Sequence, residues 1–463
     1  MRLKRIGKLV AAALSAAVAA SLAIGAIAPA AQAAPSQPTW AANATIYEVN
    51  LRQYTAAGTF KAFESHLPRL KKLGVKILWL MPIHPISVKN RKGTLGSYYS
   101  IADYKKVNPE FGTDADFAHL MTIAHAQGFK VVLDWVANHT GWDNPWITAH
   151  PDWYTKDSKG NITWPPGTDW TDVADLNYAS QPMRAEMIDS MKYWVTQFGV
   201  DGFRADVAGG VPTDFWNQAR TALEAVKPMW MIAEDEGNRD LLATAFNANY
   251  GWSFLNQMAQ ASTQAAAGQG SVAKLGILDA ISGLESYPKG TYAMTFITNH
   301  DENSWNATEY ERFGQAVKLM SALYFTAPGM PLIYSGQEVG LNRKLKFFEK
   351  DEIKWTSSAM TQFYASLIAV KAKNSALAAD STPAPIVYLP TQSLSALAYG
   401  RADGKNKVIV LLNPSNAATT ATLAAGAFRG TYYDAFTGAK VIVGSSGKYA
   451  LPAFGYRVLS SVK

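Results

Sequence analysis

The sequence contains no cysteine. This absence excludes a disulfide framework, a thiolate metal site and a cysteine nucleophile, so a hydrophobic core must stabilise the fold. A chain of 463 residues is long enough to bury such a core in two ordinary domains. The sequence also lacks the lysine and arginine clusters that bind nucleic acid, and we therefore expect no nucleic-acid partner.

The first 33 residues have the pattern of an export signal. Four basic residues precede a long apolar run, and Ala31-Gln32-Ala33 has the small residues of a cleavage site. We predict that residues 1–33 are a signal peptide and that the mature protein, which begins near Ala34, is secreted. A transmembrane anchor is the alternative, but the cleavage site and the lack of a second apolar span favour export with no membrane anchor after signal removal. Removal of the leader lowers the net charge from +7 to about +3.

From Ala44 onward, short apolar runs alternate with segments of helical period. This alternation is typical of parallel strands joined by crossover helices, and eight such runs predict an α/β fold, a (β/α)8 TIM barrel. Helical spacing covers residues 114–128 and 184–198. The predicted strands are 45–51, 75–82, 130–136, 202–206, 229–234, a short strand near Trp252, 293–299 and 331–335.

Two regions depart from this alternation. The connection after the third strand is long and irregular, and we predict a small inserted subdomain over the C-terminal face of the barrel, because such connections are usually functional. After about Lys373, short alternating segments separated by turn residues predict an antiparallel β-sandwich domain. The predicted domains are the signal peptide (1–33), the catalytic barrel (34–138 and 179–375), the inserted subdomain (139–178) and the C-terminal all-β domain (376–463).

Polar residues close four of the predicted apolar strands. A single acidic residue at a strand end is more often a helix cap or an exposed loop residue, but four such ends at the C-terminal face of a barrel indicate a catalytic site. Cleavage of a glycosidic bond through an oxocarbenium-like transition state uses one carboxylate as nucleophile and one carboxylic acid to protonate the leaving oxygen. The four ends are Val-Val-Leu-Asp-Trp-Val-Ala-Asn-His (131–139), Gly-Phe-Arg-Ala-Asp (202–206), Met-Ile-Ala-Glu-Asp-Glu (231–236) and Phe-Ile-Thr-Asn-His-Asp-Glu-Asn (296–303).

These segments, in this order, resemble the ordered sequence regions of the α-amylase family of glycoside hydrolases. The resemblance extends from about Ile46 to the C-terminal β domain. It implies an enzyme that cleaves α-1,4-glucosidic bonds in starch and maltooligosaccharides with retention of configuration. Further segments that agree with the family are 97–104, 108–113, 175–177, 328–331 and 335–338.

The resemblance assigns three carboxylates to catalysis. Asp206 is the implied nucleophile, Glu234 the general acid/base and Asp301 the carboxylate that binds and distorts the sugar. Asp235 and Glu236 are alternatives for the acid. We favour Glu234 because the acid of this family directly follows its apolar strand.

Four further residues are predicted to contact or support the substrate. Arg204 lies two residues before Asp206, so both side chains face the same side of a strand, where a cation would keep Asp206 ionised. A structural salt bridge is a compatible alternative. The resemblance implies that His139 and His300 form hydrogen bonds with sugar hydroxyls and that Tyr99 stacks on the same ring. A buried structural role is the alternative for each histidine.

The chain departs from the family after the nucleophile. Residues 207–210 are Val-Ala-Gly-Gly, so the lysine and histidine with which many members contact the leaving group are absent. Asn138 and Asp175 match calcium-ligand positions, with a carbonyl from Gly210, and oxygen donors of this kind suit calcium. A turn cap is the alternative for Asn138. The chemistry itself needs no cofactor, so calcium enters only as a structural ion.

The sequence leaves the reaction type within the family open. A cyclodextrin-degrading or maltogenic hydrolase, an α-glucosidase and a glucan transferase share the same carboxylates, because hydrolysis and transfer differ only in what accepts the glycosyl group from Asp206. Export favours an amylase, since a polymer is too large to import. A sugar-binding protein without catalysis is the alternative from another class. The intact Asp206, Glu234 and Asp301 argue against it.

Overall fold

The computed structural model describes residues 35–380 and 383–463. The predicted signal peptide, residues 1–33, lies outside the described residues. None of the helices within the described ranges combines the length and the hydropathy that a membrane span requires.

Eight parallel strands close into a barrel, which confirms the predicted fold. The order around the barrel is β1, β2, β3, β6, β7, β8, β9 and β10, and β10 returns to β1 by pairing Leu332 with Ile46. In chain order the strands are β1 (Ile46–Val49), β2 (Ile77–Leu80), β3 (Lys130–Val136), β4 (His139–Gly141), β5 (Val173–Asp175), β6 (Gly202–Asp206), β7 (Trp230–Ala233), β8 (Ala248–Tyr250), β9 (Tyr292–Thr295) and β10 (Met330–Tyr334).

The barrel strands are apolar because both of their faces are covered, by side chains inside the barrel and by helices outside it. Their side chains are almost completely buried. Glu48, Asp134 and Arg204 are charged exceptions, each fully buried. Burying a charge is costly unless it is paired, so these three residues mark the region where the barrel carries polar interactions.

Two of the barrel helices begin at residues whose side chains satisfy free backbone N–H groups. Thr113 and Asp116 form a capping box at the start of α4, and Ser180 accepts a hydrogen bond from the Met183 N–H at the start of α6. Gly199, in the left-handed region, ends α6. The helices are α1 (Leu51–Tyr54), α2 (Phe60–Glu64), α3 (Leu67–Leu73), α4 (Asp114–Ala126), α5 (Trp146–Ala149), α6 (Gln181–Phe198), α7 (Thr213–Glu224), α8 (Leu241–Thr244), α9 (Trp252–Ala266), α10 (Gly270–Glu285), α11 (Glu309–Phe313), α12 (Val317–Thr326) and α13 (Ala359–Lys373).

The strands β8 and β9 are short. Strand β8, predicted near Trp252, ends two residues before it at Tyr250, and Trp252 is the first residue of α9. Strand β9 ends at Thr295, although the apolar run continues. The ring of Phe296 packs edge-on against Trp252 at 5.1 Å, so these aromatics are buried by each other rather than by strand pairing.

The connection after β3 carries its own small sheet. Strand β4 pairs antiparallel with β5, which places His139 opposite Asp175. The rest of the connection holds the short helix α5 and a 3-10 turn at Pro151–Trp153. This sheet holds His139 beside the end of β3.

The C-terminal region is antiparallel, as predicted. A six-stranded sheet in the order β11-β12-β13-β18-β15-β16 and a two-stranded sheet of β14 and β17 enclose one hydrophobic cluster, to which Ile409 and Leu423 belong. The strands are β11 (Val387–Tyr388), β12 (Leu397–Ala402), β13 (Lys407–Leu412), β14 (Thr419–Ala424), β15 (Gly430–Asp434), β16 (Lys440–Val443), β17 (Ser446–Leu451) and β18 (Tyr456–Ser460).

The C-terminal sheet packs against helices α12 and α13 of the barrel. The buried Arg401 donates to the carbonyl of Thr326 at 3.3 Å, and the Tyr399 hydroxyl lies 2.6 Å from the Thr326 hydroxyl. The ring of Phe436 stacks on Phe363 at 5.3 Å. These contacts hold the C-terminal domain against the barrel.

Candidate active site

A cavity of about 770 Å³ lies at the C-terminal ends of the barrel strands. Asp206 is the last residue of β6, and Glu234 directly follows β7. The cavity is lined by six of the seven residues predicted to be catalytic or to bind substrate: Tyr99, His139, Asp206, Glu234, His300 and Asp301. The seventh, Arg204, lies beneath them in the barrel.

Arg204 is fully buried and contacts three carboxylates. Its Nη1 donates to Asp134 Oδ1 at 2.8 Å and to Asp206 Oδ1 at 2.9 Å, and its Nε donates to the Tyr250 hydroxyl at 3.0 Å. Its Nη2 lies 2.6 Å from Glu234 Oε1, an electrostatic contact without hydrogen-bond geometry. One guanidinium group therefore reaches both of the carboxylates predicted to act on the substrate.

Burial raises the pKa of both Asp206 and Glu234. The pKa of Asp206 is raised further by Glu234 and lowered by Arg204. The pKa of Glu234 is lowered by Arg204 and raised by Asp301. Because the ionisation of one carboxyl opposes that of the other, the pair retains a proton at a pH where exposed carboxyl groups are ionised.

The turn after Asp206 links this residue to Glu234 through a hydrogen bond. Val207 adopts a φ of 43°, which is unusual for a β-branched residue and indicates local strain. Its N–H donates to Glu234 Oε2 at 2.8 Å and so orients that carboxyl group. At Gly209 a Cβ atom would lie 2.1 Å from Asp235 Oδ2, so the glycine makes room for this acidic side chain.

The two alternatives to Glu234 are engaged elsewhere. Asp235 Oδ1 accepts a hydrogen bond from the Asn238 N–H at 2.6 Å. Glu236 Oε2 accepts from the N–H and the hydroxyl of Ser253, at 2.7 and 2.9 Å. Of the three acidic residues after β7, Glu234 is the one that lines the cavity.

His300 lies between two carboxylates. Its Nδ1 is 2.5 Å from Glu48 Oε1, and its Nε2 is 2.8 Å from the Tyr99 hydroxyl and 3.3 Å from Asp301 Oδ2. Burial lowers the pKa of His300, but Asp301 and Glu48 outweigh burial and raise it to about 9. His300 is therefore a cation at neutral pH.

His139, unlike His300, is uncharged at neutral pH. It is buried beside Trp170, with ring centroids 5.7 Å apart. Burial lowers the pKa of His139 to about 4, so its ring is neutral at pH 7. Both histidines were predicted to bind sugar hydroxyls. Neutral His139 offers one donor and one acceptor to a ligand, whereas cationic His300 offers only donors.

Asp134 and Glu48 also belong to the site, although neither was among the predicted site residues. Both are fully buried, and burial raises the pKa of each. Asp134 Oδ2 accepts hydrogen bonds from the Tyr99 hydroxyl and from Trp79 Nε1, both at 3.1 Å. A charged residue inside an otherwise apolar strand is the sequence signal that could have identified both positions.

The structure places two of the predicted calcium ligands, Asn138 and Gly210, beside each other. Asn138 Oδ1 lies 2.7 Å from the point where a Cβ on Gly210 would stand, and Asp175 lies across β4 and β5 from His139. Within residues 35–380 and 383–463, no group of three or more histidine, aspartate or glutamate side chains could hold a metal ion. Calcium takes about six to eight oxygen ligands, so we assign it no step and it stays a prediction.

Carboxylates clustered at the C-terminal face of a parallel barrel are typical of the active sites of TIM-barrel enzymes. The α-amylase catalytic-domain family matches residues 41–376, and the chain belongs to this family. An α-amylase from Haloarcula japonica is 27% identical over 406 residues, which cover 84% of this chain and 58% of that protein. The chain therefore spans less than two thirds of that relative.

Two solved structures are similar over nearly their whole length. An α-amylase from Lactobacillus plantarum has a TM-score of 0.78 and 30% identity, and the match covers 91% of this chain and 99% of that one. A maltogenic α-amylase from Thermotoga neapolitana has a TM-score of 0.79 and 30% identity, with coverage of 90% and 98%.

Proposed function

We propose that the chain is a secreted α-amylase-type glycoside hydrolase that cleaves α-1,4-glucosidic bonds in starch and maltooligosaccharides with retention of configuration. The observation that carries this proposal is the convergence of Asp206, Glu234 and Asp301 on one cavity above Arg204. Membership of the α-amylase family supports the α-glucan substrate. The signal-like sequence of residues 1–33 supports export.

In the first step, Asp206 attacks the anomeric carbon while Glu234 protonates the glycosidic oxygen. The bond from Asp206 to the anomeric carbon forms, the glycosidic bond breaks, and the proton of Glu234 leaves with the aglycone. Arg204, 2.9 Å from Asp206, favours the ionised form of the nucleophile. Its contact with both carboxylates supports the short separation that retaining glycosidases use.

In the second step, Glu234 acts as a base. Esterification of Asp206 removes its negative charge, which lowers the pKa of Glu234 and leaves this group ionised. Glu234 then takes a proton from water, and the resulting hydroxide oxygen attacks the anomeric carbon. The bond to Asp206 breaks, and the sugar leaves with its original configuration.

The sugar whose anomeric carbon is attacked, the glycone ring, lies against Tyr99. His300 supplies a cationic donor beside it, and neutral His139 supplies either a donor or an acceptor. Asp301, 3.3 Å from His300, accepts hydrogen bonds from sugar hydroxyls and stabilises the positive charge that develops on the ring.

Product analysis tests the reaction and its residues together. The wild type, Asp206→Asn and Glu234→Gln are compared on soluble starch, maltoheptaose, β-cyclodextrin and pullulan. We expect α-configured maltooligosaccharides from the wild type and losses of about 10³-fold or more in kcat/KM for both variants. Glu236→Gln is the matched control, because Glu236 bonds to Ser253 outside the cavity.

The product pattern also separates hydrolysis from glycosyl transfer, since transfer yields oligosaccharides longer than the substrate. A wild type that is inert on all four substrates indicates a sugar-binding protein. Full activity in either Asp206→Asn or Glu234→Gln shows that the carboxylate roles are wrong. Export is tested separately, by N-terminal sequencing of the protein from culture medium, which should begin near Ala34.

A further inference from the structure

An aromatic surface runs from Tyr99 to the rim of the cavity. Trp305 follows Asp301 in the chain and packs its ring against Phe347 at 5.0 Å and Phe348 at 5.7 Å. Phe347 is in turn stacked nearly parallel to Tyr99, at 6.2 Å and 13°. Although it is a tryptophan, Trp305 is 52% exposed. A partly exposed aromatic ring at the rim of a cavity can contact a sugar.

Hydrogen bonds join the loop that carries Phe348 to the loop before Tyr99. The Leu95 N–H donates to the Phe348 carbonyl at 3.0 Å, and the Thr94 N–H donates to Glu349 Oε1 at 3.0 Å. Gly93, at a φ of 63°, approaches so closely that a Cβ atom would lie 2.4 Å from the Cβ of Phe348. The two loops therefore meet without a gap.

A buried arginine reinforces this junction. Arg52 is 2% exposed and donates to the carbonyls of Leu95 at 3.2 Å, Gly96 at 3.1 Å and Phe347 at 3.3 Å. A guanidinium group that satisfies carbonyls from both loops holds them at a constant separation. The junction is thus a rigid part of the fold.

The same loop is bound to the inserted segment on its other side. Lys92 Nζ donates to the Asp169 carbonyl at 2.8 Å and lies 3.5 Å from Asp172 Oδ1. The Lys89 N–H donates to Asp143 Oδ2 at 2.9 Å. Three loops that are distant in the sequence therefore form one continuous arc around the cavity.

We propose that this arc, formed by Trp305, Phe347, Phe348, Lys92 and Asp172 and called here the glycone wall, closes the far glycone end of the cavity, so that the cavity holds only the few sugar rings of a short product on that side. The enzyme then accepts α-glucan chains by their non-reducing ends and releases short products. This inference rests on the proposed function. The interior of a polymer needs an open groove on both sides of the scissile bond, whereas a closed side admits only a chain end.

The catalytic roles identify the side of the scissile bond on which the glycone wall lies. The glycone wall adjoins Tyr99 through Phe347, and Tyr99 and Asp301 contact the glycone ring under the proposed function. The aglycone leaves with the proton of Glu234, next to the turn in which Gly209 and Gly210 carry no side chains. The wall therefore blocks the chain towards its non-reducing end and leaves the side of the leaving group open.

A substrate with a blocked non-reducing end tests the glycone wall. We compare p-nitrophenyl maltoheptaoside with the same compound carrying a 4,6-O-ethylidene group on its terminal sugar, and expect the wild type to cleave the blocked form at least about 100-fold more slowly. The double variant Lys92→Ala/Trp305→Ala should reduce this ratio by at least about tenfold, because it removes two side chains of the wall.

The matched control is Lys89→Ala/Trp164→Ala. Lys89 is an exposed lysine of the same loop, and Trp164 is a tryptophan of the inserted segment that is 44% exposed and does not line the cavity. We expect this control to keep the wild-type ratio. A ratio that falls equally in both double variants assigns the effect to the loops in general and overturns the role of the wall.

The outcomes separate this inference from the proposed function. If the wild type cleaves both heptaosides at equal rates, the glycone wall does not close the cavity, although the proposed function stands. If it cleaves neither heptaoside and no starch, the proposed function is wrong. In that case calorimetry with Asp206→Asn still compares binding of maltoheptaose and its ethylidene derivative, and equal affinities overturn the wall.

Discussion

Replacing Glu48 by glutamine tests whether a buried carboxylate keeps His300 protonated. The pKa of His300 is about 9, in place of the ordinary 6.5. At about 1.4 kcal/mol per pH unit, this difference corresponds to about 3 kcal/mol in favour of the protonated form. Burial opposes the charge, and Asp301 and Glu48 favour it.

We expect Glu48 to contribute more than Asp301. Glu48 is fully buried and lies 2.5 Å from His300 Nδ1, whereas the side chain of Asp301 is 35% exposed and lies 3.3 Å from Nε2. Water screens the exposed group more strongly than the buried one. In Glu48→Gln the pKa of His300 should therefore fall to about 7.

The sign of the effect on stability follows from the raised pKa. Protonation of His300 stabilises the fold fully below about pH 6.5, and this contribution is lost as the pH rises through about 9. Glu48→Gln should therefore lower the free energy of unfolding by about 3 kcal/mol at pH 6. Above pH 9 the wild type holds an unpaired buried carboxylate, so the variant should be equally stable or more stable.

Histidine NMR, urea unfolding at several pH values and the pH profile of kcat/KM measure these effects. The alkaline limb of the profile reports whichever of Glu234 and His300 loses its proton first, so in the variant it should lie no higher than in the wild type. Glu64→Gln is the matched control, since Glu64 lies 2.9 Å from His119 Nδ1 at the surface. The reasoning is refuted if His300 still titrates near 9 in Glu48→Gln.

Two further substitutions test other parts of the site. Asp134→Asn removes a charge 2.8 Å from Arg204, and both groups are fully buried. We expect urea unfolding to show a free energy of unfolding lower by about 3 kcal/mol. A loss below about 1 kcal/mol would contradict this prediction. Gly209→Ala places a Cβ atom 2.1 Å from Asp235 Oδ2 and should lower the Tm by a few degrees, equivalent to about 1 kcal/mol. An unchanged Tm in Gly209→Ala would show that Asp235 moves without cost.

The barrel could be predicted because its strands are buried on both faces. Residues 130–136 and 202–206 form strands with the predicted bounds, since parallel barrel strands are continuous apolar runs. The C-terminal strands Thr419–Ala424, Lys440–Val443 and Ser446–Leu451 were not predicted. Thr419–Ala424 and Ser446–Leu451 contain many small and polar residues, and Lys440–Val443 is only four residues long, so their apolar signal is weak.

The sequence by itself determined the barrel, the antiparallel C-terminal domain and the strand ends at which Asp206 and Glu234 lie, whereas Asp301 follows six residues after the end of β9. Periodicity and local motifs are properties of neighbouring residues, and they can be recognised before the chain folds. Residues 234–237 show what periodicity and local motifs cannot determine. Three of them are acidic, and only the folded chain turns Glu234 towards the cavity and the other two towards Asn238 and Ser253.

The tertiary structure alone decided the charge states and the shape of the site. His139 and His300 both follow apolar strands, yet one is neutral and the other cationic, because only His300 meets a buried carboxylate from a residue 252 positions away. The glycone wall likewise joins loops around Lys92, Trp305 and Phe347 that no local pattern relates. Burial and distances through space set these properties, and they exist only after the chain has closed into its barrel.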